Sequence, residues 1–192
     1  MAAYFPAFLD LRGRRCLVVG GGEIGERKAR ALLDCGAEVT VVSPALTPGL
    51  AALATGGALR WRARAFRKVD VRGCTLVIAS SGVASVDTTV AVEARRLGAL
   101  VNVVDRPAQC DFIFPSVLRR GDLQIAVSTG GRSPALAREI RKRLEPQFGS
   151  EYASLVDRVG VARLQERAAA TTPAGRKRAG ERAVAAALAP LS

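Results

Sequence analysis

Residues 16–25 read Cys-Leu-Val-Val-Gly-Gly-Gly-Glu-Ile-Gly, and they constrain the fold more than any other stretch of the chain. An apolar run, Leu17-Val18-Val19, enters a glycine cluster spaced G-x-G-x-x-G at Gly20, Gly22 and Gly25. A helix-like segment, 26–33, follows at once, then Gly36 and a second apolar run, 39–42. A strand that turns directly into a helix needs each of these glycines. Gly20 permits the tight turn, Gly22 lets the backbone approach a pyrophosphate, and Gly25 lets helix and strand pack closely. The helix N-terminus then offers free N–H groups and a positive dipole to phosphates. In a strand–turn–helix–strand context this spacing predicts a dinucleotide site, with Glu23 and Ile24 in the same amide-lined turn. A bound nicotinamide cofactor implies hydride chemistry.

Hydrophobic periodicity extends the pattern. Strands are expected at 15–19, 38–42, 59–65, 75–79 and 100–104, with helices at 24–35, 45–55 and 85–97. Alternating strands and helices imply βαβ units around a parallel sheet. The lead-in at residues 4–9, Tyr-Phe-Pro-Ala-Phe-Leu, is expected to pack against that sheet. Beyond it come an apolar strand at 123–128, after the turn Arg120-Gly121-Asp122, and a helix opened by Ser133-Pro134 and running to about 144. From Ser150 onward the chain reads as helical, with a break at Thr171-Thr172-Pro173. The fold class is therefore α/β: a Rossmann-type parallel sheet, then a small α+β dimerisation segment, then a helical C-terminal region. The corresponding boundaries are 1–112, 113–148 and 149–192. The last third holds little core of its own, and a second copy of the chain is its simplest partner.

Composition removes several classes of function. There is no histidine, which excludes a His-based triad, a His metal site and a His general base. The four cysteines, Cys16, Cys35, Cys74 and Cys110, form no close pair, so neither a zinc site nor a CxxC redox motif is expected. No apolar run reaches the roughly 18–20 residues that span a bilayer. The N-terminus lacks a signal-peptide pattern, so a cytoplasmic location is expected and no membrane partner. The net charge of +12 fits nucleic acid, an acidic membrane surface, a polyanionic small molecule, or plain compositional bias. Aromatic residues are only 5 %, without the aromatic–basic interleaving of a single-strand binder, and no nucleic-acid partner is expected.

Other candidate residues follow from their place on the elements. Ser43, followed by Pro44, ends the second strand, where dinucleotide sites usually carry an acid for the ribose. No arginine follows closely to clamp a 2′-phosphate, which favours NAD over NADP. Asp105 stands at the carboxyl end of a parallel strand, where ligands of open α/β sheets bind, and is a candidate acid/base. The alternative is a solvated carboxylate paired with Arg106. The loop 128–133, with Ser128, Gly130, Gly131, Arg132 and Ser133, offers either an anion site or a plain helix cap. Arg119 adds positive charge nearby in sequence.

Taken together these segments resemble one family, the siroheme-synthase dehydrogenase/ferrochelatase family. The likeness covers residues 4–149. It rests on Arg27-Lys28 after the glycines, Asn102-x-x-Asp105, Phe112-x-x-Pro115 and Ser128-x-Gly130-Gly131-x-Ser133-Pro134. The resemblance implies NAD-dependent oxidation of precorrin-2 to sirohydrochlorin in siroheme or cobalamin biosynthesis. Some members also insert ferrous or cobaltous ion. It implies a homodimer, and it places the family's essential aspartate on Asp105. Cofactor contacts are expected from the glycine loop, Ser43, Pro44, Ser80 and Asn102, and substrate contacts from Arg119, Ser128, Gly130, Gly131 and Ser133. Where the family usually has a Thr-Asp-Asp-type stretch, this chain has Ser80-Ser81-Gly82 and then Val86-Asp87, so its cofactor geometry or affinity is expected to differ. The chain resembles the stand-alone form, for which no methyl transfer is expected. A non-catalytic NAD-sensing module is the alternative reading.

Overall fold

The structure, a computed structural model, describes residues 4–169 and 172–188. It divides into two compact units, Met1–Ile113 and Phe114–Ser192.

The first unit runs β1 (Arg15–Val19), α1 (Glu23–Leu33), β2 (Glu38–Val42), α2 (Pro48–Thr55), β3 (Arg60–Arg62), β4 (Leu76–Ala79), α3 (Ala84–Arg96) and β5 (Leu100–Val103). All five strands are parallel, in the order β3-β2-β1-β4-β5. The central strands are apolar on both faces because helices cover both faces of such a sheet. Leu17, Val19, Val77, Ala79, Val101 and Val103 pack with Val90, Ala91 and Ala94 of α3 in one buried cluster. Val19 pairs with Ala79, and Ala79 with Val103, so three neighbouring strands end level. The loops after β1, β4 and β5 therefore leave the sheet along one edge. The chain reverses direction of travel between β1 and β4, the position where open α/β sheets open a crevice.

Two expectations change here. Residues 4–9 do not pack on the sheet: they are exposed, Phe5 by 89 %. Leu11 is the first buried residue among those described, and just beyond it Gly13 N–H donates to Gly36 O at 2.9 Å. The strand expected at 59–65 shrinks to Arg60–Arg62. It is an edge strand, and beyond it the chain is drawn to a buried carboxylate. Asp70 accepts from Arg62 Nη1 at 2.5 Å, Arg64 Nη2 at 2.6 Å and the Arg67 N–H at 2.8 Å. Burial alone would raise the Asp70 pKa, but these donors hold it down to about 2.

The second unit begins with a hairpin, of which the sequence predicts only the second strand. β6 (Ser116–Arg120) pairs antiparallel with β7 (Leu123–Val127) across Gly121-Asp122, with Gly121 at φ +55. Leu118 on this hairpin, Ala137 on α4 (Pro134–Leu144) and Leu155 on α5 (Glu151–Ala169) are buried, and both helices pack against β6. α5 packs against α6 (Pro173–Leu188), with Pro173 opening the second helix as its fixed φ favours. Thr171, part of the expected break, lies outside the described residues. Among the described residues no helix is long and apolar enough to cross a membrane.

Candidate active site

The glycine loop is shaped by what lies beside each residue. Gly20 has φ +121, and a Cβ there would stand 2.6 Å from the Ser80 carbonyl carbon. A Cβ at Gly25 would meet Gly20, so the helix can sit this close to the strand only without one. Gly22 is different: nothing lies within 4 Å of where its Cβ would be. It is the N-cap of α1, and with no side chain it makes no capping bond. The first amides of α1, at Glu23 and Ile24, therefore receive no capping side chain from Gly22 and have the helix dipole behind them. Open room at Gly22 and an uncapped helix start fit a dinucleotide pyrophosphate.

Gly21, which the motif leaves as an "x", is equally constrained. A Cβ there would meet Ala45 O, Leu46 Cδ2 and Ser43 Oγ. It lets the loop after β2 close over the glycine turn. Thr47 fastens that loop: its N–H donates to Gly21 O at 2.9 Å, its hydroxyl donates to Glu26 Oε2 at 2.5 Å, and it accepts from Leu50 N–H at 3.2 Å as the N-cap of α2. The Thr47 hydroxyl, then Arg30, hold the Glu26 carboxyl below its ordinary range. The Thr47-Pro48 pair carried the sequence signal for this cap, the same one as Ser133-Pro134.

The predicted residues after the other strands fall as follows. Ser43 is buried at the end of β2, its N–H donating to Arg62 O at 3.3 Å and its carbonyl accepting from Trp61 Nε1 at 3.0 Å. Pro44 is exposed beside it. Ser80 follows β4 and donates its hydroxyl to Val19 O at 3.1 Å, tying the ends of β1 and β4. The atypical stretch has its own device. Asp87, buried in α3, accepts from the Ser81 N–H at 3.0 Å and the Ser81 hydroxyl at 2.7 Å, so a carboxylate from the helix folds the loop. Asn102 is also buried, and its Nδ2 donates to Phe112 O at 2.9 Å.

Asp105 stands two residues beyond the last residue of β5, Val103. Its φ of +58 is the sole positive value at a non-glycine among the described residues. Such a conformation persists only where surrounding structure imposes it, and it concentrates at functional sites. Asp105 is exposed. Arg106 does not pair with it; its guanidinium turns to Thr88 Oγ1 at 3.4 Å. Strands in a sheet lie about 4.8 Å apart, so β5 is about 10 Å from β1 with β4 between them. The Asp105 turn and the glycine loop thus share one sheet edge across the switch point. Nearby on α1, burial draws the Lys28 ammonium down to about 8, with Arg27 adding to the effect.

The remaining predicted residues belong to the second unit. Arg119 is exposed on β6. The loop 128–133 holds Gly130 and Gly131 at φ +64 and +80. Ser128 Oγ accepts from Gly130 N–H at 3.1 Å, and Ser133 Oγ caps α4 by accepting from Leu136 N–H at 3.2 Å.

Known proteins share this arrangement. Residues 7–116 match a family model described as "Putative NAD(P)-binding", and residues 120–147 match "Sirohaem biosynthesis protein central". The siroheme synthase of Methylococcus capsulatus is 43 % identical over 93 % of this chain, and siroheme synthase 1 of Aeromonas salmonicida 41 % over 95 %. The chain spans only 38 % and 39 % of those two relatives' lengths. A solved structure, SirC, precorrin-2 dehydrogenase, superposes with a TM-score of 0.76 at 25 % identity, covering 91 % of this chain and 86 % of that one. The first family model spans more than half of the residues, and the fold, the glycine turn and the relatives agree: the chain belongs to the siroheme synthase N-terminal family.

Proposed function

We propose that this chain oxidises precorrin-2 to sirohydrochlorin with NAD, in siroheme or cobalamin biosynthesis and in the cytoplasm. The observation that carries the reading is Asp105: an exposed carboxylate held at positive φ at the end of β5, on the sheet edge that carries the glycine loop. When bound, the nicotinamide supplies the hydride acceptor. The protein's part is to hold the dinucleotide at the uncapped start of α1, around Gly20, Gly22, Glu23, Ile24 and Gly25, and to take up the proton. In a chain without histidine, the Asp105 carboxylate is the group placed to accept it. Ser43, Pro44, Ser80 and Asn102 complete the cofactor assignment. Arg119, Ser128, Gly130, Gly131 and Ser133 are assigned to the carboxylate groups of the substrate, whose approach a chain of net charge +12 favours.

NAD rather than NADP is favoured by the arginines near β2. Register brings Arg62 opposite Val42, one residue from Ser43, yet Arg62 and Arg64 are both committed to buried Asp70. Tighter binding of NADP than of NAD would contradict this assignment. Homodimer formation is favoured by the apolar side chains that α4 leaves uncovered, Leu136 and Ile140, and a monomer in sedimentation would contradict it. Ferrous or cobaltous ion is assigned as a second substrate; no metallation of sirohydrochlorin above the protein-free rate removes that activity.

Asp105→Asn separates an enzyme from an NAD-sensing module. We expect turnover to fall by about a hundredfold or more while NAD binds as before. Undiminished turnover would remove Asp105 from the chemistry.

A further inference from the structure

β5 is the outer strand of its sheet, and its free edge is covered in an unusual way. Side chains of the returning segment stand where a sixth strand would be. The Val101 N–H donates to Asp111 Oδ2 at 3.0 Å, and Asp111 N–H donates back to Val101 O at 2.8 Å. Two residues along, the Val103 N–H donates to Cys110 Sγ at 3.2 Å. The Cys110 thiol in turn faces Val103 O at 3.2 Å and Arg106 O at 3.3 Å, either of which accepts its proton. Asn102 Nδ2 approaches the same sulfur at 3.5 Å. Arg95 fixes the other end of the ladder through Asp111 Oδ1 at 2.8 Å.

Between the two ends of that ladder lies the loop 104–109, which carries Asp105. We propose that Cys110 is the clasp of this loop, a positioning residue that holds the Asp105 turn at the end of β5. The proposal rests on Asp105 as the proton acceptor. The thiol bonds the residue two before Asp105 and the residue just after it, and so spans the turn that forces φ positive. The loop's own bonds, Arg106 N–H to Val103 O at 3.2 Å and Gln109 N–H to Arg106 O at 2.9 Å, end on the same two carbonyls. Cys110 also packs against the buried cluster of the sheet. That double duty suits a thiol, which is apolar enough for the core yet still a donor and acceptor. Burial pushes its pKa up, which keeps the donating proton in place.

The test uses the full chain with precorrin-2 and NAD under anaerobic conditions. In Cys110→Ala, kcat is expected to fall by about a hundredfold, the scale on which a small displacement of a catalytic group acts. The NAD dissociation constant is expected to stay near that of the unsubstituted chain, while the thermal midpoint falls by a few degrees, roughly 2–4 °C per kcal/mol lost, because the buried Val103 N–H loses its partner. Cys110→Ser, which keeps donor and acceptor, should recover most of the loss. Cys110→Val keeps the apolar packing without the donor and carries the same expectation as alanine should that variant not fold. The double variant with Asp105→Asn should be no slower than Asp105→Asn alone, because the clasp acts through the aspartate. Unchanged kcat in Cys110→Ala and Cys110→Val, beside a slow Asp105→Asn, overturns the proposal and leaves the function intact. A double variant slower than Asp105→Asn overturns it too, since the thiol would then act elsewhere. A fast Asp105→Asn removes Asp105 from the chemistry and overturns the clasp with it, while the oxidation itself stands; no turnover in the unsubstituted chain is the result that sinks the functional reading.

Discussion

The loops at residues 20–25 and 128–133 share their local signals: a glycine-rich turn with positive φ, at Gly20 in the first and at Gly130 and Gly131 in the second, then the first turn of a helix. They finish that turn in opposite ways. In the second loop the polar groups bind one another. Thr129 Oγ1 accepts from Ser133 N–H at 3.0 Å and donates to Ser133 O at 3.0 Å, Ser133 caps α4, and Pro134 has no N–H to offer. In the first loop the cap position is Gly22, which has nothing with which to accept a bond. Gly20 and Gly21 are also pressed from outside, by Ser80 and by the loop 43–46, whereas nothing lies within 4 Å of where a Cβ would stand on Gly130 or Gly131. A hydroxyl at the cap stabilises the helix and uses an amide; a glycine leaves the amides for a ligand. The second loop is fastened by its own bonds before any substrate carboxylate meets it, and the first is left to be completed by its ligand.

Substitutions at these two loops should therefore behave differently. The largest effect is expected at Gly20. Gly20→Ala adds a Cβ against the Ser80 backbone at a φ that L-residues avoid, and should cost about 3 kcal/mol in urea denaturation. Gly22→Ala comes next and separates ligand from scaffold. With nothing near its Cβ the fold should hold, while NAD binding weakens by about tenfold, or about 1.4 kcal/mol. Equal NAD affinity in this variant would make the first loop a plain turn. Ser133→Ala should show the converse, about 1 kcal/mol of lost stability with the NAD dissociation constant unchanged.

What could be read in the sequence was local. β1, α1 and β2 announce themselves because an apolar run, a glycine turn and a 3.6-residue period need only neighbours along the chain. Asp105 could be placed at a strand end for the same reason. β6 could not: Ser-Val-Leu-Arg-Arg has one buried side chain, Leu118, and becomes a strand through its pairing with β7. The roles of Gly21, Asp87 and Cys110 are not legible in the sequence, because each acts on backbone that folding brings to it, from Ala45, Ser81 and Val103 respectively. The exposed segment 4–9 shows the reverse error, where apolar composition alone suggested burial. The role of Asp70 is hidden too, since the arginines that fold onto it, Arg62 and Arg64, stand eight and six residues away on the chain.

An anaerobic assay with precorrin-2 and NAD, following NADH and sirohydrochlorin absorption together, tests the central claim most directly. Protein-dependent appearance of both in equal amounts is the predicted result. NAD binding without either product would contradict it, and would leave a nicotinamide-binding module whose Asp105 turn serves something other than this oxidation.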